Sequence, residues 1–290
     1  MSFSLVAPTV INGLTMGAIY ALVALGLTLV YGVLHIINFA HGSLLMLALY
    51  AVYFLHSQVG IDPYLAIPIV GPAFFVIGYV LQRGVIGRAS HGREQTVLLV
   101  TLGLALIIDN LALYFWSADT RTLDLAYAFE TIDLGVALVP VPRAIAFAAA
   151  LLVAGLLWLV LDRTDLGKAI RAVAKERQGA RLVGINVDHI HALCFGIGTA
   201  TVAVAAAILL PAFYVTPQVG YTFVLVAFTT VVLGGMGSFA GALVGGLLLG
   251  VVEALGGLWF GESLGEIAIF GLFILVLLFR PTGLFGTKAA

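Results

Sequence analysis

Apolar positions along this chain run in uninterrupted blocks, and the polar residues are confined to the gaps between them. The blocks fall near 10–33, 41–55, 65–82, 95–116, 143–161, 190–213, 222–235, 240–258 and 265–279. An apolar run close to 20 residues predicts a helix long enough to cross the hydrocarbon core of a bilayer, about 30 Å thick. The alternation in period two expected of a transmembrane barrel is missing, so the blocks read as helices and not as strands. The run 222–235 is short, because fourteen residues at 1.5 Å each reach only about 21 Å. It reads as a tilted, broken or re-entrant segment buried in protein. The expected fold is an all-α, polytopic integral membrane protein with eight or nine transmembrane helices, organised as one domain over 1–290.

Composition agrees with the pattern. The chain is 62% hydrophobic and 9% charged, with a mean hydropathy of +1.16, which excludes an ordinary soluble domain. Its one cysteine, Cys194, lies in an apolar run, so there is no disulfide framework and no cysteine-based metal site. The N-terminal MSFSLVAPTVINGL has no basic region and no small-residue cleavage site. It reads as the start of the mature protein and not as a removable signal.

Charge placement orients the chain. One set of connections holds Arg83, Arg88 and Arg93, then Arg163, Lys168, Arg171, Lys175, Arg177 and Arg181, then Arg280 and Lys288. The alternate set holds only Arg121 and Arg143. Eleven of thirteen bases on one side puts that side, with the C-terminus, in the cytoplasm. Nine crossings then leave the N-terminus outside. The longest external connection, 117–142, is acidic (Asp119, Asp124, Glu130, Asp133) and carries Pro140 and Pro142. It reads either as a partner contact or as a solvated loop.

Small residues recur at helix-contact spacing: Gly13, Gly17 and Ala21; Gly237, Gly241 and Gly245; Gly246 and Gly250. In lipid such residues let helix backbones approach closely, within the subunit or between subunits. Asn38-Phe39-Ala40-His41-Gly42 and Ser238-Phe239-Ala240-Gly241-Ala242 look faintly alike, each between two apolar helices. The first is a polar break without a charged residue. It reads as a tight turn at the cytoplasmic interface or as a pathway lining that moves. Two intramembrane acids, Asp109 beside Asn110 and Glu253, are functional candidates or members of interhelical hydrogen bonds. No G-x-x-x-x-G-K-[ST] or H-E-x-x-H motif occurs, and the six histidines are scattered, so no nucleotide or metal site is expected. His35 and His41 flank the break, His56 and His91 fall in loops, and His189 and His191 open a span.

Six of the bases crowd into an island, 162–191. From Leu166 to Val183 the pattern is helical. Leu166, Ile170, Val173 and Ala174 share a face, and Lys168, Arg171, Lys175 and Glu176 occupy much of the rest. Asp165 is placed to cap its start, and Gly184 and Asn186 to terminate it. Such a helix lies on anionic lipid, stays solvated, or inserts into a partner protein.

The island, ending Gly179-Ala180-Arg181-Leu182-Val183-Gly184-Ile185-Asn186, resembles the cytoplasmic coupling segment of ABC-importer permeases. Four further stretches resemble the branched-chain amino acid permease family, in family order and over nearly the whole chain. They are Gly26-Leu27-Thr28-Leu29-Val30-Tyr31-Gly32 with Ile37-Asn38-Phe39-Ala40-His41-Gly42, then Thr101-Leu102-Gly103-Leu104, then Val232-Leu233-Gly234-Gly235-Met236-Gly237-Ser238, then Arg280-Pro281-Thr282-Gly283-Leu284-Phe285-Gly286. The chain is similar to the shorter of that system's two permeases. It departs from the family at Ser43, where an acidic residue is frequent, and at Ala240, where proline is frequent.

The resemblance implies one permease subunit of a bacterial inner-membrane importer for branched-chain or related hydrophobic amino acids. It implies a second permease subunit (identical or different), two ABC ATPase subunits that consume the ATP, and a periplasmic substrate-binding protein. It implies no catalysis and no cofactor bound by this chain. Coupling to the ATPase would fall on a segment at 162–189, through Lys168, Arg171, Lys175, Arg177, Arg181 and Gly184. Pathway or gate positions would be Asn38, Phe39, His41, Gly42, Gly234, Gly235 and Gly237. The same architecture also serves urea, amides or aromatic acids. An ion-coupled carrier acting alone explains the spans but leaves the basic island without a purpose.

Overall fold

The computed structural model describes residues 5–90, 94–261 and 264–286; His91, Arg93 and Lys288 lie outside the described residues. The chain begins with α1 (Val6–Leu34), α2 (Ala40–Val59) and α3 (Ile67–Leu81), which a π-turn (Gln82–Ile86) and α4 (Gly87–Ser90) continue. Then come α5 (Glu94–Trp116), a hairpin of β1 (Thr131–Asp133) and β2 (Leu138–Pro140), and α6 (Val141–Arg163). Two short helices, α7 (Asp165–Lys175) and α8 (Arg177–Leu182), precede α9 (Val187–Leu209), α10 (Val219–Gly234), α11 (Phe239–Phe260) and α12 (Gly265–Phe279).

Seven helices are long and apolar enough to cross a membrane: α1, α2, α3 with its continuation, α5, α6, α9 and α11. The two others of that character, α10 and α12, have 16 and 15 residues, or about 24 and 23 Å. The expected short block thus forms a complete helix that begins at Val219, three residues before the run 222–235.

Helix α1 is the hub. Nearly every residue from Gly13 to Leu34 is buried, and it packs against α11, α9, α6 and α10. A helix apolar on all sides is stable only in such a place. The expected small-residue contacts form within the subunit. A Cβ on Gly13 would lie 2.8 Å from Gly250 O, and one on Gly246 would lie 2.7 Å from Ala21 Cβ. Buried hydroxyls are satisfied locally: Thr28, Thr199, Thr201, Thr229 and Thr230 each donate to the carbonyl one turn back. At the rim, α5, α6 and α12 leave large apolar side chains uncovered, among them Leu99, Leu152 and Ile274.

The connection 117–140 is anchored. Arg121 and Val215 pair through their backbones, and the Arg121 guanidinium sits 5.5–5.9 Å from the ring centres of Tyr50, Tyr53 and Phe54. Tyr127 donates to Asp62 Oδ2 at 2.8 Å. Pro142 lies in the first turn of α6, where a missing N–H costs nothing.

Candidate coupling surface and inner break

The basic island folds as two helices, not the single helix expected from Leu166 to Val183. Its cap is Thr164, whose Oγ1 accepts from Gly167 N at 3.1 Å; Asp165 instead occupies the first turn and pairs with Lys168 at 2.9 Å. Helix α7 stops because Glu176 is extended (φ −156°, ψ 104°) and turns its carboxylate to Gln178 N, starting α8. Gly184, at φ +86°, ends the pair as expected. Asn186 does not terminate it but caps α9, accepting from His189 N at 3.0 Å. The segment between spans is therefore 164–186. Residues 162–163 close α6, and 187–189 open α9.

The candidate coupling residues divide in two. Arg171 donates to the carbonyl of Leu161, and Arg177 donates to the carbonyl of Leu34 at 2.7 Å, so both tie the segment to the bundle. Ile170, Val173 and Ala180 bury against the ends of α1 and α9. Lys168, Lys175, Arg181 and Gly184 face outward. Beside them Leu182 and Val183 are 88% and 76% exposed. This apolar tip on a polar segment was not singled out from the sequence, where it looked like the end of a periodic face.

The inner break is His35–Phe39. His41 and Gly42 belong to the first turn of α2, not to the break. His35 turns the chain in the left-handed region (φ 57°), and α2 then starts well back along α1. With Nε2 protonated, His41 donates to the carbonyl of Val23 at 3.0 Å, about three turns or 16 Å before the end of α1. Phe39 N meets Thr101 Oγ1 at 3.4 Å, about two turns into α5. Non-helical backbone at that depth must be satisfied by protein. Asn38 does so: it is 2% exposed and its Oδ1 accepts from Ala40 N at 3.1 Å. Gly42 lies against Gly220 and Val224 of α10, where an added Cβ would come within 2.8 Å of Val224 Cβ. Phe39 is partly exposed, with its ring 5.9 Å from Phe228.

The second break, between α10 and α11, repeats the construction. Gly235 and Gly237 take φ +101° and +87°, and Ser238 Oγ accepts from Gly241 N at 3.1 Å. Gly234 is the last residue of α10. The second break touches the end of α1, since a Cβ on Gly32 would lie 3.1 Å from Gly237 Cα. The segment after α12 closes on the same turn: Leu284 N donates to Leu233 O at 2.8 Å and Phe285 N to Gly234 O at 3.0 Å. Three of the sequence stretches that carried the resemblance are thus brought together.

The intramembrane acids do not join them. Glu253 accepts from the Tyr20 hydroxyl at 2.7 Å, tying α11 to α1, and Asp109 is buried beside Tyr221. Sequence reasoning named the acids but not the tyrosines, which look like ordinary interfacial aromatics. Among the described residues no group of three His, Cys, Asp or Glu side chains is placed to hold a metal ion.

Residues 9–279 match the family described as branched-chain amino acid transport system / permease component. The chain is 35% identical to the high-affinity branched-chain amino acid transport system permease protein BraD of Pseudomonas aeruginosa, covering 95% of this chain and 94% of that one. It is 32% identical, with the same coverage, to the permease protein LivH of Escherichia coli K12. A more distant likeness, 29% identity over 92% of this chain and 82% of the other, is to the ribose import permease protein RbsC of Bacillus subtilis. No solved structure matches. With its many apolar helices and its match over nearly the whole length, this multi-pass membrane protein belongs to the family of branched-chain amino acid transport system permease components.

Proposed function

We propose that the chain is the membrane-spanning subunit of an ATP-driven importer of branched-chain or related hydrophobic amino acids in a bacterial inner membrane. The observation that carries the reading is the α7–α8 segment, which is roped to the bundle by Arg171 and Arg177 yet presents an uncovered Leu182–Val183 tip among Lys175 and Arg181. Apolar side chains held out among bases at a water-facing end suit insertion into a partner protein. Two ABC ATPase subunits are that partner. They bind and hydrolyse the ATP, and this chain needs no cofactor of its own. A second permease subunit completes the path, and a periplasmic binding protein delivers the substrate and sets most of its identity.

The proposed orientation is supported by the gathering of Arg83, Arg88, Arg177 and Arg181 at one end, while Arg121 lies on the connection before α6 and Arg143 in the first turn of α6. The basic end is cytoplasmic, and nine crossings, α10 and α12 included, leave the N-terminus outside. Single-domain organisation over the whole chain fits the central place of α1. The breaks at Asn38 and Gly235 form the inner end of the path, with Phe39, His41, Gly42, Gly234 and Gly237 around them. ATP binding biases an alternating-access equilibrium through α7–α8.

The test uses the reconstituted complex with Leu182→Asp, and separately with proline at Ala174, which costs a helix about 3 kcal/mol. Substrate uptake should be lost while the ATPase subunits still hydrolyse ATP. Uptake unchanged in both variants refutes the coupling role.

A further inference from the structure

We infer that the hairpin β1–β2 is an interfacial anchor: its apolar tip lies among the lipids of the adjoining leaflet, and the cleft beneath it takes their acyl chains. The register pairs Thr131 with Pro140, Ile132 with Val139 and Asp133 with Leu138, so Leu134-Gly135-Val136-Ala137 closes the loop. Leu134 N donates to Ala137 O at 3.1 Å, and Gly135 takes the left-handed conformation at φ +76°. Hairpin turns are ordinarily built from Asn, Asp, Gly and Ser; here the side chains at the tip are apolar. Leu134, Val136 and Leu138 are 55%, 58% and 60% exposed. The acid next to them, Asp133, turns its carboxylate back to Gly135 N at 2.7 Å. A contiguous apolar tip held out in this way marks an interaction site.

The level of the hairpin identifies the occupant. The cleft, about 240 Å³, is lined by Leu14 of α1, by Ile132, Leu134 and Val139 of the hairpin, and by Ala144 and Phe147 of α6. Leu14 lies about 12 Å from the start of α1 and Phe147 about 9 Å from the start of α6, so the hairpin packs beside the spans and not beyond their ends. A protein in water reaches the ends of spans, whereas lipid reaches their sides. Thr15, also at the cleft, spends its hydroxyl on the carbonyl of Asn12 at 2.9 Å. Steps of four from Ala144 lead along α6 to Leu152 and Leu156, both exposed, so the cleft is continuous with the apolar rim. Tyr114 near the end of α5 and Trp259 near the end of α11 are exposed at the same end of the bundle, and such side chains collect at headgroup level. A two-stranded hairpin keeps open edges whose N–H and C=O groups need water, which bars it from the hydrocarbon core. At the interface both demands are met: the backbone stays hydrated while the tip reaches hydrocarbon.

The test is spin labelling of the whole complex in phosphatidylcholine vesicles. Val136→Cys, Leu138→Cys and Ala144→Cys are labelled singly in a Cys194→Ala background, with Asp124→Cys as the water reference. Power saturation compares collisions with oxygen, which concentrates in lipid, and with a nickel chelate, which stays in water. The three labels should favour oxygen several-fold more than the Asp124→Cys label does. Nickel favoured at Val136→Cys and Leu138→Cys makes the hairpin a solvated loop and overturns the proposal. Exclusion of both reagents there assigns the tip to a second permease subunit or another protein, and overturns it as well. Exclusion of both at Ala144→Cys alone overturns the acyl-chain occupancy of the cleft. Should the labelled complexes fail to assemble, the wild-type complex decides, in the same vesicles doped with a phosphatidylcholine that carries a diazirine on its acyl chain. Adducts within 132–139 are expected, and adducts confined to the helices overturn the anchor.

Discussion

Two glycine-to-alanine substitutions should move stability in opposite directions. Alanine is better than glycine in a helix interior by about 1 kcal/mol. At Gly103 on α5 an added Cβ meets nothing within 4 Å, so Gly103→Ala should collect that gain. At Gly17 on α1 the same atom would lie 2.5 Å from Gly246 O, 2.8 Å from Leu247 Cα and 3.0 Å from Leu247 O. All three are backbone atoms of α11 and have no rotamer to escape into. The two helices must separate, which loosens the Gly13–Gly250 and Ala21–Gly246 contacts as well. Overpacking costs about 1–3 kcal/mol, and rigid neighbours on every side put this site at the upper end. After the propensity gain the net loss is about 2 kcal/mol, or about thirtyfold in the folded-to-unfolded ratio. Reversible unfolding in mixed micelles, followed by tryptophan fluorescence, measures both variants. Gly17→Ala as stable as Gly103→Ala would refute the reasoning, because the helices would then not be held at backbone contact.

A double-mutant cycle on Tyr20→Phe and Glu253→Gln should give a coupling of about 0.6–1.7 kcal/mol, the range for hydrogen bonds between membrane helices; no coupling in the same unfolding assay dismisses the bond. Asn38→Leu leaves the Ala40 N–H unpaired at depth, costing about 1–3 kcal/mol. Uptake should fall to background while the complex still assembles and binds ATP, and normal uptake would reduce the break to a simple turn. In the outer connection, burial and then Asp62 push the Tyr64 hydroxyl up to about 12, and burial and Asp62 raise Tyr127 as well. The folded chain therefore keeps protons that the unfolded chain releases above about 10, so this contribution is complete below that pH and lost as pH rises through 12. Limited proteolysis of 117–140 should be flat from neutral pH to 9 and accelerate beyond 10; acceleration at neutral pH would contradict the pairing. A cysteine at Asp124 should react with an impermeant external reagent in intact cells and one at Lys175 should not, and the reverse result inverts the topology.

The helices were legible because a bilayer demands uninterrupted apolar runs, and the observed spans keep to the predicted blocks within a few residues except the third, which runs on past residue 82 to Ala89. Depth was not legible. The run beginning at 41 shows where helix is possible, but only packing shows that His41 starts against the carbonyl of Val23. The kink at Glu176 was hidden for a related reason: Ile170, Val173 and Ala180 all bury on one surface, so the apolar period continues across a backbone that does not. Thr164 was a readable cap, but Asp165 competed with it one residue later, and both residue types cap well. The partners of the acids were out of reach, since Tyr20 and Glu253 are 233 residues apart. The candidate coupling residues were recognisable as a basic cluster, while their division into tethers and outward-facing groups needed the carbonyls of Leu161 and Leu34.

The two hydrogen bonds from Leu284 and Phe285 to the end of α10 bear on how the protein is made. The last carbonyls of a helix have no partner within it, and here Leu233 and Gly234 obtain theirs from residues translated some fifty positions later. Until α11 and α12 have been inserted and residue 285 is synthesised, the Gly-rich turn that touches α1 stays unlatched. The α10–α11 turn is therefore completed only after α12 has been made. A product ending after α12 would keep these helices yet leave this turn open, with the carbonyls of Leu233 and Gly234 deprived of their donors.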